Sequence, residues 1–304
     1  MRRPYWLPLM LLAACHPAPA RLSPSAFALP DSTALVDGPT GAPVATADLL
    51  RRVGSSDFVL LGEVHDNPFA MAARGSLLRA FGPRHPAVVF EQFAASEAPI
   101  ARPAAGESVT VWLDRNGFDR RGWKWPMHEP VVSAALAVGR SLWGSNMSRA
   151  QLTPIVIGGT NAAPEPLRQL IARAPLDSAA RLVLDSEIVV GHCRQLPETM
   201  VPGMIAAQEV RDAAMTHALL LAGAGGPAWL IAGNGHVRRD IAVPRILTRV
   251  APGKRLLVVG LLEREEDGSA PAADERRSYD LVIITPRTAR PDPCEQLRQP
   301  GAIR

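Results

Sequence analysis

Short apolar runs, several rich in β-branched residues, recur along the chain, and most of them stop at a polar or glycine-containing segment. Phe58-Val59-Leu60-Leu61 stops at Gly62, and Ala87-Val88-Val89-Phe90 stops at Glu91-Gln92. Ser141-Leu142-Trp143 leads to Asn146, and the run from Ala228 to Ala232 stops at Gly233. Arg255 to Leu262 and Asp280 to Thr285 are two more. Runs that are apolar at successive positions suit strands covered on both faces, as in a parallel sheet. Between them the spacing becomes helical. Pro68 to Phe81 opens with Asn67 as N-cap and Pro at the first helical position, and further helices are predicted over 130–139, 164–174, 177–190, 205–221 and 241–250. In the 205–221 segment Val210, Ala213, Ala214, His217 and Leu221 fall close to one stripe. Strand then helix, repeated, predicts an α/β fold: a mostly parallel β-sheet flanked by helices. Residues 94–127 break the pattern, hold Trp112, Trp123 and Trp125, and read as an irregular insertion. Glu263 to Ser278 reads as a charged, hairpin-like excursion between the last two strands.

The first thirty residues carry a different signal. Arg2 and Arg3 precede an apolar stretch from Trp6 to Ala14, far short of the roughly 20 residues that span a bilayer. It ends Leu12-Ala13-Ala14-Cys15, a lipobox, which predicts a signal peptide over 1–14, cleavage before Cys15 and lipidation of its thiol. His16 follows the cysteine, and an uncharged or basic residue there favours sorting to the outer membrane. The Pro-, Ala- and Ser-rich stretch to Pro30 makes 15–30 a flexible tether, leaving 31–304 as a single domain anchored outside the cytoplasm. The formal charge of +4 comes from a chain with only two lysines, Lys124 and Lys254. No basic stripe with interleaved aromatics is present, which argues against nucleic acid as a partner. Cys193 and Cys294 remain once Cys15 takes the lipid, and an even pair in an oxidising compartment reads as a disulfide. A metal site at His192-Cys193 is the competing reading, but one adjacent pair supplies too few ligands.

The polar residues that matter sit where strands end. In open parallel sheets ligands bind beyond the carboxyl ends of the strands. Those ends deliver Gly62-Glu63-Val64-His65-Asp66-Asn67, Glu91-Gln92, Asn146, and Gly233-Asn234-Gly235-His236. A parallel sheet opens all four onto one edge, as a ligand cleft lined by two Glu, two His and two Asn. Such a set suits a metal or metallated ligand, or general acid–base work. Each residue also has a plain structural reading: Glu63 as a turn cap, His65 as a loop histidine, Gly233 and Gly235 as sources of backbone freedom. Glu91 is harder to set aside, because a carboxylate ending an apolar strand needs a partner. His85, His192 and His217 read as structural.

Leu60 to Pro68, with its Gly-Glu-x-His-Asp-Asn block, resembles the opening signature of ChaN-like haem-binding lipoproteins of the haem-uptake/Tiki superfamily. The resemblance continues through Phe90-Glu91-Gln92-Phe93, Trp125-Pro126-Met127-His128-Glu129-Pro130, Asn146, Ala207-Gln208, Arg211-Asp212, Ala232 to Val237 and Val243-Pro244. It implies an α/β fold, surface attachment, dimers that enclose haem, and a role in iron acquisition beside outer-membrane haem uptake machinery. It also implies that Glu63, His65, Glu91, His128, Asn146, Asn234 and His236 surround the cofactor; independently of the resemblance, arginines such as Arg149 or Arg211 are of the type that pairs haem propionates by bidentate contacts. Related branches use the same Glu/His set for hydrolysis. That alternative makes Glu63, His65, Glu91 and His236 catalytic, with His65 and His236 holding a divalent metal such as zinc. The chain departs from the family in its scarcity of tyrosine, the ligand type expected there: Tyr5 lies in the leader and Tyr279 begins a late strand. His128 stands where an aromatic such as Tyr is expected, so it is a candidate axial ligand or a plain surface residue; Met127 is a weaker candidate. Imidazole and phenolate both ligate haem iron.

Overall fold

The computed structural model describes residues 27–292, 294 and 295; the predicted leader, Cys15 and most of the tether lie outside the described residues. One sheet holds β1 (Ala34–Asp37), β2 (Phe58–Leu61), β3 (Ala87–Ala94), β4 (Ser141–Asn146), β5 (Ala228–Ile231), β6 (Leu256–Glu263) and β7 (Leu281–Thr285). The strand order is β1-β7-β6-β2-β5-β3-β4. All neighbours are parallel except β1, which runs antiparallel to β7 at one edge. Buried on both faces, β2 and β5 are apolar at every position, as parallel central strands require.

On one face lie α1 (Thr46–Ser55), α2 (Pro68–Ala80), α3 (Val109–Arg115) and α4 (Glu129–Val138), closing a core that includes Leu49, Leu78, Phe93, Trp112 and Val131. The other face is covered by α8 (Val201–Gly223) and α9 (Val243–Val250) through Met215, Leu219, Val243 and Leu247. Against α8 pack α5 (Arg149–Gly158), α6 (Glu165–Arg173) and α7 (Ser178–Gly191). Sandwiched in this way, α8 is buried around most of its circumference and not along one stripe, and His217 is instead a half-buried partner of Glu97. The stripe fails because two layers, not one, need an apolar surface from this helix.

Three further differences have local causes. β1 is a four-residue edge strand, and α1 carries its buried Leu49, Leu50 and Val53 within a single short stripe. α5 starts at a capping box formed by Ser148 and Gln151 and carries Pro154 within it, which breaks its periodic pattern. The 263–278 excursion is a crossover, since β6 and β7 are parallel; it holds the short α10 (Ala273–Arg276). The insertion is not irregular throughout either. It contains α3, and Trp112 anchors it, fully buried and donating its indole N–H to the Ala101 carbonyl at 2.6 Å. Among the described residues no helix is long and apolar enough to cross a membrane.

After β7 the chain turns into a strap across the carboxyl edge of the sheet. Asn67 donates to the Pro286 carbonyl at 2.9 Å, Thr288 N–H donates to Glu263, and Arg290 bridges Glu263 and Asp66. The strap then meets the turn that follows α7 through a Cys193–Cys294 disulfide. The residues it joins are 101 apart, and for such a loop the chain-entropy model gives at most about 4–5 kcal/mol. Urea unfolding of the oxidised protein against its Cys193→Ser/Cys294→Ser variant should show a loss in that direction; coincident midpoints would mean the crosslink adds no stability.

Candidate functional site

Two charge networks form where the central strands end, one on each side of the sheet. On the α2 side, Glu63 leaves β2 and is buried. One carboxylate oxygen accepts from Gln92 Nε2 at 2.8 Å and sits 2.7 Å from His65 Nδ1. The other contacts the Arg74 guanidinium, which comes from the buried side of α2. Arg74 is itself buried, and burial lowers its pKa to about 9, against the raising effect of Glu91, so it keeps its charge at neutral pH. His128, at the N-terminus of α4, completes this side with Nδ1 3.9 Å from Glu63.

On the α8 side, Glu91 accepts the Gly233 N–H at 2.7 Å and faces His236 Nε2 at 3.5 Å. His236 Nδ1 lies 2.7 Å from buried Asp212 of α8. Consecutive residues of a strand point to opposite faces, which is how Glu91 and Gln92 serve one network each. Burial works against charge on both Glu91 and His236, yet their mutual attraction prevails. Glu91 is held down to about 2 by His236, His65 and the Gly233 amide. His236 is pushed up to about 10 by Glu91 and Asp212. Burial raises Asp212, while His236 and Arg245 oppose it. His236 is therefore an imidazolium with both nitrogens committed to carboxylates.

His65 lies between the two networks. Its ring packs against Gly233, where a Cβ would meet His65 Cε1 at 2.9 Å, so the close approach needs a glycine. Desolvation pulls its pKa down, helped by His236 and Lys124 and opposed by Glu91 and Asp66. With Nδ1 donating to Glu63, the neutral ring presents Nε2, and no described residue hydrogen-bonds to that atom. The side chain is about half exposed (49 %), and the edge of Trp123 stands 4.9 Å away between ring centres. Asp66 beside it is held by Lys124 at 3.0 Å and Arg290 at 2.9 Å.

Other predicted positions fall differently. His128 is buried beneath Trp123 and Phe118, with both ring nitrogens unpartnered and a pKa brought down to about 3, chiefly by burial. It is not a surface residue, because the aromatic insertion folds over it. Asn234 is occupied in extending β6: its amide donates to the Leu261 carbonyl at 2.7 Å and accepts the Leu261 N–H at 3.1 Å. Asn146 ends β4, half buried, with its backbone carbonyl accepting from Ala95. Tyr279 is buried and directs its hydroxyl to the Asn234 carbonyl. Among the described residues no group of three His, Cys, Asp or Glu is placed to hold a metal ion. A cleft of about 900 Å³ lies beyond the Asn234-Gly235 turn, walled by α7, Arg238 and residues 272–279; neither His65 nor Glu91 lines it. Sequence reasoning missed Arg74 altogether, and singled out Gln92 at its strand end and Asp212 in the family motif without giving either a role. The signal for Arg74 was a lone charge among Ala70, Met71, Leu77 and Leu78 on the buried side of α2.

Residues 49–247 match the family model described as haem-binding uptake, Tiki superfamily, ChaN. A solved structure described as "Cofacial heme binding to ChaN of Campylobacter jejuni" is similar in fold: TM-score 0.67 at 21 % identity, covering 85 % of this chain and 98 % of that one. A comparison with curated proteins found no match.

The geometry makes two stability predictions. Arg74→Met leaves the Glu63 carboxylate buried and unpaired, a loss of about 3–5 kcal/mol. Adding Glu63→Leu should recover much of it in urea unfolding, and no recovery would show that the pair is not the cause. The second concerns pH. His236, raised to about 10, contributes stability that is complete below about 6.5 and lost as pH rises towards 10. His128, lowered to about 3, takes up a proton only on unfolding once pH falls below about 6.5, so stability drops from there towards 3. Glu91 adds a loss as pH falls from about 4.5 through about 2. Unfolding free energy should peak near pH 6–7, with His236→Gln flattening the alkaline limb and His128→Phe the acid limb down to about pH 4.5; unchanged limbs would contradict the assignment.

Proposed function

The chain belongs to the ChaN family of the haem-binding uptake, Tiki superfamily, and from that premise we propose that it binds haem against the face that carries His65. The observation behind this is one imidazole. Ligating histidines donate their second ring N–H to a carboxylate, which fixes the tautomer and raises ligand basicity. His65 has that arrangement: Nδ1 on buried Glu63, a neutral ring, and Nε2 without a hydrogen bond on a half-exposed surface. Trp123 beside it offers an apolar edge to a porphyrin. His236 fits iron ligation poorly, since carboxylates engage both its nitrogens, and His128 is enclosed. When bound, haem would supply an iron centre that His65 would hold through Nε2, with Glu63 positioning the imidazole and Trp123 shielding the porphyrin. The large cleft does not include His65, so the haem lies on an open surface, which suits cover by a second copy of the chain. The cofacial haem binding described for ChaN of Campylobacter jejuni is compatible with such an open face.

In this reading lipid on Cys15 holds the protein at the outer membrane, where it passes haem to or from uptake machinery. The Cys193–Cys294 disulfide supports an oxidising compartment.

A second reading is hydrolysis. Neutral His65 and charged His236 flank Glu91, a base and an acid on either side of one carboxylate. His65 Nε2 takes a proton from water as it attacks an ester carbonyl and returns that proton to the leaving oxygen, while charged His236 supplies positive charge beside Glu91.

Titration with hemin, followed by absorbance, separates the two. Haem binding predicts saturation with a shifted Soret band, abolished in His65→Ala and retained in His128→Ala and His236→Ala. A band that survives His65→Ala would remove His65 as the ligand. No saturable band would sink the haem reading and leave ester hydrolysis, lost in Glu91→Gln, as the activity to assay.

A further inference from the structure

Arg211 stands apart from the other cations around the site. It lies on α8 beside Gln208 and Asp212, the two residues that reach His236 at 3.2 Å and 2.7 Å. Positions three and four apart share one side of a helix, so 208, 211 and 212 face the strand ends together. The field of Glu91 and of Asp212 reaches the Arg211 guanidinium. Both acids are already engaged, Glu91 with Gly233 N–H and His236, Asp212 with His236. Arg211 is half buried and makes no hydrogen bond or ion pair with a described residue.

Its neighbours differ in this respect. Arg74 is spent on Glu63, Lys124 on Asp66, and Arg290 on Asp66 and Glu263. Arg245 also lacks a hydrogen-bond partner, but all three of its guanidinium nitrogens are buried and out of a ligand's reach. Arg211 alone in this group combines partial exposure with uncommitted donors. A guanidinium fork of this kind matches a carboxylate with two parallel N–H···O bonds, which a point charge such as Lys does not reproduce.

We propose that Arg211 binds a carboxylate of the ligand, so that this site selects an anionic molecule, and for haem a propionate. The proposal rests on the haem-binding reading and adds to it the group that orients the ligand. His65 and Arg211, both within the field of Glu91, would then meet the ligand at two different groups, its metal and its carboxylate.

The test compares hemin with hemin dimethyl ester, whose propionates carry no charge, by absorbance titration of the wild type, Arg211→Gln and Arg211→Lys. The wild type should favour hemin over the ester by roughly 10- to 100-fold, the scale of a charge-assisted bidentate contact. Arg211→Gln should lose that preference while its Soret band with hemin stays at the wild-type position, because His65 is untouched. Arg211→Lys should keep only part of the preference, and it serves as the second variant if the Gln protein does not fold. Equal affinity of the wild type for both compounds, or undiminished preference in the variants, overturns the role of Arg211 and leaves the haem reading standing. A wild type that gives no Soret change with hemin overturns both.

Discussion

A carboxylate at the end of a buried parallel strand has to be paired, and this requirement organises the molecule around the Glu63–Arg74 contact. Both side chains are buried. Removing a charge of this size from water costs several kcal/mol per ion, and only close pairing with further hydrogen bonds offsets it. The partner has to come from the helix that follows β2, so α2 cannot be displaced from the sheet without exposing the charge. Gln92 from β3 and His65 from the β2–α2 turn fill the remaining positions on Glu63. One ion pair thus ties together two strands, a helix and the exposed histidine.

The second network obeys the same rule with different groups. Glu91 receives the Gly233 amide and His236, and His236 receives Asp212 from α8. The two histidines beside Glu91 end in opposite states. His65 is neutral because desolvation dominates, while His236 is charged because two carboxylates outweigh desolvation. Neighbouring imidazoles in complementary protonation states are what both the binding and the acid–base reading draw upon.

Much of this was legible from the sequence. The apolar runs at 58–61, 87–90 and 228–232 gave the central parallel strands, and the polar residues after them marked the edge where Glu63, His65, Glu91 and His236 meet. What stayed hidden depended on contacts between distant segments. Arg74 and Asp212 lie inside helices, and a periodic pattern shows which face is buried but not which charge lies opposite. Asn234 looked like a polar group offered to a ligand, yet it pairs with the backbone of Leu261, a strand brought alongside only by the crossover topology. His128 looked exposed beside two prolines until the aromatic insertion covered it. The edge strand β1 and the Pro-containing α5 carried too little periodic signal to stand out.

The insertion between β3 and α4 is built unlike the rest of the rim. Glu91 lies in β3, and His65 and His236 follow the ends of β2 and β5, so strand register sets where all three sit, and a slip of one residue in β3 would turn Glu91 to the wrong face. Trp123 and Lys124 come instead from a loop anchored in the core by Trp112 and Phe118. The frame that fixes the charges and the aromatic wall beside His65 are therefore separable units of inheritance. Substitutions can accumulate in residues 119–125 and reshape that wall, while the charges at the strand ends stay where the sheet puts them.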